Sequence, residues 1–176
     1  MAWNVSGLST ETTLGGETLF ENVDILLFME TWEHEGNVLP SIKGFTCTGS
    51  IFNAKKTTKG RGFGGIAVYT KNHLQHLTSI EYEDPSKQFI VVRLHTGGMT
   101  SFLIATYFAP LSMNVYKMGI ANAHNPFHRL IQAIHDVSAQ GEAWIVGDFN
   151  ARVSHQQFID GGDLGISPWL SCSEDP

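Results

Sequence analysis

Three short stretches of this chain place a polar group at the end of an apolar strand-like run: Trp3-Asn4-Val5, Leu27-Phe28-Met29-Glu30-Thr31 and Val146-Gly147-Asp148-Phe149-Asn150-Ala151. The second belongs to the segment Asp24 to Glu30, which is nearly continuously apolar and closes on a carboxylate. A run of that kind suits a strand buried on both faces, so the chain must supply layers above and below it. Carboxylates are costly to bury unless paired or metal-bound, so one just past a core strand belongs at a sheet rim. Asp148 and Asn150 are two positions apart and would share one side of an extended segment, with Phe149 on the other.

The remaining pattern is strand-rich. Phe45 to Thr48, Ser50 to Asn53, Gly64 to Thr70, Gln88 to His95, Ser101 to Phe108 and Ala143 to Val146 read as strands, with a turn at Thr96-Gly97-Gly98. Thr18 to Asn22 suits a short helical piece, weakened by Gly15 and Gly16. One segment has full helix signals: Asn125 as cap, Pro126 in the first turn and Gly141 at the end, with Phe127, Leu130, Ile131, Ile134 and Val137 on one face. That face is expected to be core. The tail from Ala151 to Pro176 is polar and rich in glycine and serine. Several strands with few helices predict an α/β layered domain with two sheets packed on each other.

Charge narrows the function. A net charge of −6 counts against a simple nucleic-acid-binding module, which relies on phosphate neutralisation. It is compatible with an enzyme whose carboxylates gather round a divalent cation, because the ion reverses the local field. Cys47 and Cys172 stand in no metal-ligand spacing and read as free thiols of a reducing compartment. Met1 to Gly16 lacks the pattern of a secretory signal, and the longest apolar run, Ile25 to Met29, is too short to span a bilayer. The expected location is therefore intracellular or nuclear, not secreted or membrane-bound. The glycosylation match Asn4-Val5-Ser6 carries little weight in that setting.

The motifs, taken in order, resemble those of the endonuclease/exonuclease/phosphatase superfamily, the deoxyribonuclease-I-like fold. Trp3 to Leu8 resembles its opening motif, Asp24 through Thr31 its second (more often Gln before Glu), and Gly62 through Tyr69 its Gly-Gly strand. Thr106 through Pro110 resembles its Tyr-x-Pro region, and Gly147 to Ala151 matches Gly-Asp-Phe-Asn-Ala. The likeness runs from residue 2 to about 152, and Ser167-Pro168-Trp169-Leu170 resembles LINE-type retrotransposon members more than repair enzymes. The resemblance implies a four-layer α/β/β/α sandwich, two packed sheets flanked by helices. It also implies a metal-dependent phosphodiester hydrolase with DNA as substrate.

Carried over residue by residue, it implies that Glu30 binds Mg²⁺ or Mn²⁺ with Asn4 beside it. Asp148 orients or deprotonates the attacking water, and Asn150 holds the phosphate or the neighbouring carboxylate. Oxygen donors of this kind suit a hard cation. Two departures follow. The family closes on an Asp-His pair preceded by another acidic region; the chain ends before either, so residues 1–176 are expected to form a single, C-terminally incomplete domain. In Tyr107-Phe108-Ala109-Pro110, either Tyr107 or Phe108 occupies the family's polar position, and only one of two neighbours on a strand can face the site. Tyr107 is the expected one.

Each residue also has a plain reading. Glu30 alone is an end-of-strand surface carboxylate, and Asn4 and Asn150 are turn or capping residues. Gly60 to Gly65 satisfies a dinucleotide fingerprint, but the following Ile66 to Tyr69 is strand-like where that fingerprint needs a helix. His73 with His76, and His124 with His128, lack a third ligand, and Lys55, Lys56, Lys59 and Arg61 read equally as a solvated loop or a phosphate-backbone contact. Three functions compete: a retroelement-derived DNA-nicking endonuclease, a phosphatase of inositol lipids or other small phosphoesters, and a non-catalytic remnant.

Overall fold

The computed structural model describes residues 1–8, 20–34, 36–52, 64–109 and 126–150. Asn125, His124, Pro110, the basic group Lys55 to Arg61 and the tail from Ala151 lie outside these residues, as do Thr18 and Leu19 of the Thr18 to Asn22 segment.

Among the described residues, eight strands form two mixed four-stranded sheets. The first contains β1 (Ala2–Asn4), β2 (Ile25–Met29), β3 (Phe45–Ile51) and β4 (Ile66–Lys71) in the order β1-β2-β4-β3. Only β1 and β2 run parallel in it. The second contains β5 (Thr78–Glu83), β6 (Phe89–Thr96), β7 (Met99–Tyr107) and β8 (Glu142–Asp148) in chain order. Its first three strands are antiparallel, and β8 returns parallel to β7 after the helix α1 (Pro126–Ser138).

Alternation explains the layers. In β2, Leu27 and Met29 meet Ile66 and Val68 of β4, and these pack against Ile90, Val92, Ala105 and Tyr107 of the second sheet. The intervening Leu26, Phe28, Ala67 and Tyr69 face outward and are covered by Leu8, Phe20 and Ile42. On the far side, Phe89, Val91, Phe102, Ile104 and Phe108 receive Leu130 and Val137 of α1. The central strands β2, β4, β6 and β7 thus bury side chains on both faces, as the Asp24 to Glu30 run requires.

Three expectations change in detail. Phe45 to Thr48 and the start of the Ser50 to Asn53 run form one strand, β3, which ends at Ile51 and has an irregularity between Cys47 and Gly49 where the register shifts; Asn53 lies outside the described residues. The strand β5 follows a 3-10 segment, Asn72–Leu77, and neither was legible in the sequence. Thr78 to Glu83 lacks an apolar face because it is an edge strand with mostly exposed side chains. On α1, Ile131 is 62% exposed, and Ala133 takes part in the buried face instead. Phe127 is partly exposed but stacks on Phe108 at 4.5 Å.

Candidate active site

The parallel pairs β1–β2 and β7–β8 set the site. Asn4 ends β1, Glu30 follows β2, and Tyr107 and Asp148 end β7 and β8 opposite one another in register. Four strand ends therefore converge on one rim, so residues 144 positions apart become hydrogen-bonded neighbours: Asn4 Nδ2 donates to Asp148 Oδ2 at 3.0 Å. The Tyr107 hydroxyl donates to Glu30 Oε1 at 2.7 Å. The structure brings Asn4, Glu30, Tyr107, Asp148 and Asn150 together.

Close backbone approach makes this possible. A Cβ on Gly147 would lie 1.9 Å from the Thr106 carbonyl oxygen, so only glycine lets β8 come so near β7 at this point. Gly65 has φ +88°, and a Cβ there would meet Thr31 Oγ1 at 2.2 Å. Its carbonyl and that of Gly64 accept the Thr31 and Trp32 amides at 3.4 and 3.0 Å, holding the chain just after Glu30. Glu30 itself has φ 56°, and Ser6 and Asn150 also lie in the left-handed region at 48° and 45°. Such conformations cost on the order of 1 kcal/mol each for residues other than glycine and gather where a structure fixes side chains for a purpose.

Asp148 and Asn150 act on one side, but not through an extended segment. The Asn150 amide donates to Asp148 Oδ1 at 2.9 Å, a tight side-chain turn, and Asn150 Nδ2 reaches the Phe108 carbonyl at 2.8 Å. Phe149 points to the opposite side as expected, stacking on Phe108 at 5.6 Å within the α1 layer. The same alternation settles the Tyr107–Phe108 question geometrically. Tyr107 faces Glu30 between the sheets, and Phe108 packs under α1.

Ser6 was not singled out in the sequence. Its amide donates to Asn4 Oδ1 at 3.2 Å and its hydroxyl to Glu30 Oε2 at 3.5 Å, so it ties the first two motifs together. Only its place two residues after Asn4 hinted at this.

Burial raises the Tyr107 hydroxyl well above the usual tyrosine range; its hydrogen bond to Glu30 and the negative charges of Glu30 and Asp148 add to the effect. Tyr107 therefore stays a donor. Among the described residues, neither Glu30 nor Asp148 is in an ion pair. The donors here are all oxygen, the type that suits a hard divalent cation. No three His, Cys, Asp or Glu side chains among the described residues form a ready cluster. A cation would be held by few protein groups and keep several waters, which is how Mg²⁺ is commonly bound. The site residues fit such an ion.

Other candidates fall away from the rim. His73, His76 and His128 are exposed. Cys47 is not a disulfide cysteine, and burial pushes its thiol up to about 11. No helix of the described residues is long and apolar enough to cross a membrane.

Several solved structures are similar. The AP endonuclease LMAP from Leishmania major aligns with a TM-score of 0.64 at 18% identity, over 84% of this chain and 53% of that one. The 3′ phosphatase NExo from Neisseria, solved with a product DNA hairpin, aligns at 0.55 and 17% identity, over 88% and 58%. TDP2 from Caenorhabditis elegans aligns at 0.51 and 17%, over 91% and 50%. At these identities the likeness shows the fold, and the chain spans roughly half the length of these proteins. No curated protein sequence matches significantly. The model of the Endonuclease/Exonuclease/phosphatase family matches residues 1–173, nearly the whole chain. The chain belongs to the Endonuclease/Exonuclease/phosphatase family.

Proposed function

We propose that this chain carries a divalent-cation-dependent phosphodiesterase site that acts on DNA. The observation that carries the reading is the convergence of Glu30 and Asp148 on one rim without a compensating protein cation among the described residues. Two partly buried carboxylates on one rim carry like charge, which a bound cation would offset. The names of LMAP and NExo, an AP endonuclease and a DNA-bound 3′ phosphatase, support DNA as the substrate class.

In this reading Glu30 and Asn4 hold Mg²⁺ or Mn²⁺. When bound, the ion offsets charge on the phosphate oxygens. Asp148 accepts a proton from the attacking water, and the Asn4 amide fixes the Asp148 oxygen that it contacts. The Tyr107 hydroxyl orients Glu30. Asn150 has its amide group on the Phe108 carbonyl and its backbone on Asp148, so it holds the general base against the end of β7. The narrower reading, a retroelement-type nicking domain, rests on Ser167-Pro168-Trp169-Leu170, which lie outside the described residues.

Conversion of supercoiled plasmid to the nicked form tests the proposal, with inositol phosphates as a second substrate. Nicking that needs Mg²⁺ or Mn²⁺, stops with chelator and is lost in Asp148→Asn is the expected result. Phosphate release from inositol phosphates without nicking would move the assignment to small phosphoesters. Neither activity would leave the non-catalytic remnant as the reading.

A further inference from the structure

Asp84 has no exposed surface although it opens the turn between β5 and β6, where a carboxylate would ordinarily be in water. Arg129 of α1, whose side chain is 14% exposed, donates from Nε to Asp84 Oδ1 at 2.6 Å. The Ser86 hydroxyl donates to Asp84 Oδ2 and in turn accepts from Arg129 Nη2. The Gln88 amide donates to the same Asp84 Oδ2 at 3.2 Å. Backbone bonds from Asp84 N to Phe89 O (3.0 Å) and Lys87 N to Asp84 O (2.8 Å) complete the turn.

The turn's output is one carbonyl. Gln88 O accepts the Tyr107 amide at 2.8 Å. That bond extends the β6–β7 ladder one step beyond Phe89–Thr106, to the last residue of β7. Ladder ends beside turns open with little free energy, so this step depends on how well the turn is anchored. On the other flank Phe108 N donates to Asp148 O at 2.9 Å. Tyr107 is thus gripped from β6 and from β8, and its phenol reaches Glu30 from a fixed base. A displacement of about 1 Å at the hydroxyl would take a 2.7 Å bond out of hydrogen-bonding range. A buried ion pair contributes little net stability over an apolar pair of similar volume, but its directional bonds fix geometry.

We propose that Asp84, Ser86 and Arg129 form a positioning array that sets the Tyr107–Glu30 hydrogen bond through the Gln88 carbonyl. The proposal rests on the reading of Glu30 and Tyr107 as site residues. None of the three touches the rim; each acts through Tyr107.

Amide hydrogen exchange on the ¹⁵N-labelled full chain tests it without needing activity. Leu103 and Ala105 alternate with Tyr107 on the same side of the β6–β7 ladder and serve as internal controls. In Arg129→Gln, the Tyr107 amide should exchange about tenfold faster relative to those two, and Arg129→Lys should restore it. Should Arg129→Gln not fold, Ser86→Ala keeps the Arg129–Asp84 pair and should shift exchange in the same direction. In plasmid nicking, Arg129→Gln should lower kcat about tenfold with KM unchanged, and add nothing further to Tyr107→Phe. Exchange of Tyr107 that is unchanged, or that speeds up in step with Leu103 and Ala105, overturns the proposal, as does an equal kcat loss in the Tyr107→Phe background. Selective exchange in a chain that nicks nothing would uphold the positioning array and reject the nuclease reading.

Discussion

Asp84 and the Glu30–Asp148 pair show two ways of keeping carboxylates inside a fold. Asp84 is wholly enclosed and fully served by the protein: a guanidinium, a hydroxyl and a backbone amide meet its two oxygens. Glu30 and Asp148 stay partly exposed and, among the described residues, receive only neutral donors, from Tyr107, Ser6, Asn4 and the Asn150 backbone. The first arrangement is closed in charge. The second is held in shape and, among the described residues, left open in charge, as the proposed cation and phosphate site would need.

Breaking the closed cluster should have the largest effect. Arg129→Met leaves an unpaired buried carboxylate and should cost about 3–5 kcal/mol in urea unfolding. Asp148→Asn removes one of two uncompensated charges, so its stability should stay within about 1 kcal/mol of the parent or rise. Comparable losses in both would erase the contrast.

Activity should respond in the opposite order. Asp148→Asn should reduce plasmid nicking on the order of 10³-fold through loss of a general base. Full nicking by this variant would remove Asp148 from the chemistry. Next in size, Glu30→Gln should weaken Mn²⁺ binding about 10-fold or more in calorimetric titration, since a hard cation depends on ligand charge. Equal affinity in both proteins would mean that Glu30 is not a ligand.

The smallest effects at neutral pH concern the two buried phenols. Tyr69 donates to the Pro40 carbonyl at 2.8 Å, whereas Tyr107 donates to a carboxylate. Tyr107→Phe should cost about 1 kcal/mol, because water can take the place of the hydroxyl on Glu30. Both phenols are raised above the ordinary range, with burial the largest cause in each. The native state therefore keeps protons that the unfolded chain releases near pH ~10. Their contribution is complete below that pH and is lost as pH rises toward the native values. Thermal denaturation between pH 9 and 11 should show this fall, and Tyr107→Phe should make it shallower. An unchanged slope would show that Tyr107 does not titrate in the way its surroundings dictate.

Much of the fold was legible because burial leaves a period in the sequence. The Asp24 to Glu30 run, the alternation around Gln88 to His95 and the cap-to-glycine pattern of α1 follow from which side chains must avoid water. What escaped was what burial does not mark. Strand β5 has almost no buried face, so Thr78 to Glu83 carried no apolar signal. Ile131 had the spacing of a core residue, yet the sheet beneath α1 meets Ala133 instead.

The same division holds at the site. The sequence by itself determined the polar residues at strand ends, the order of the motifs, and the alternation that turns Phe149 away from Asp148. Local chemistry suffices for these, because side-chain direction along a strand has a fixed period. The tertiary structure alone decided that Asn4 meets Asp148 across 144 residues and that Tyr107, not Phe108, reaches Glu30. It also decided that Ser6 joins the group and that Asp84 is enclosed by Arg129. Such pairings depend on strand register, parallel crossovers and how closely two backbones approach at Gly147. These are properties of packed layers, and no local pattern in the chain encodes them.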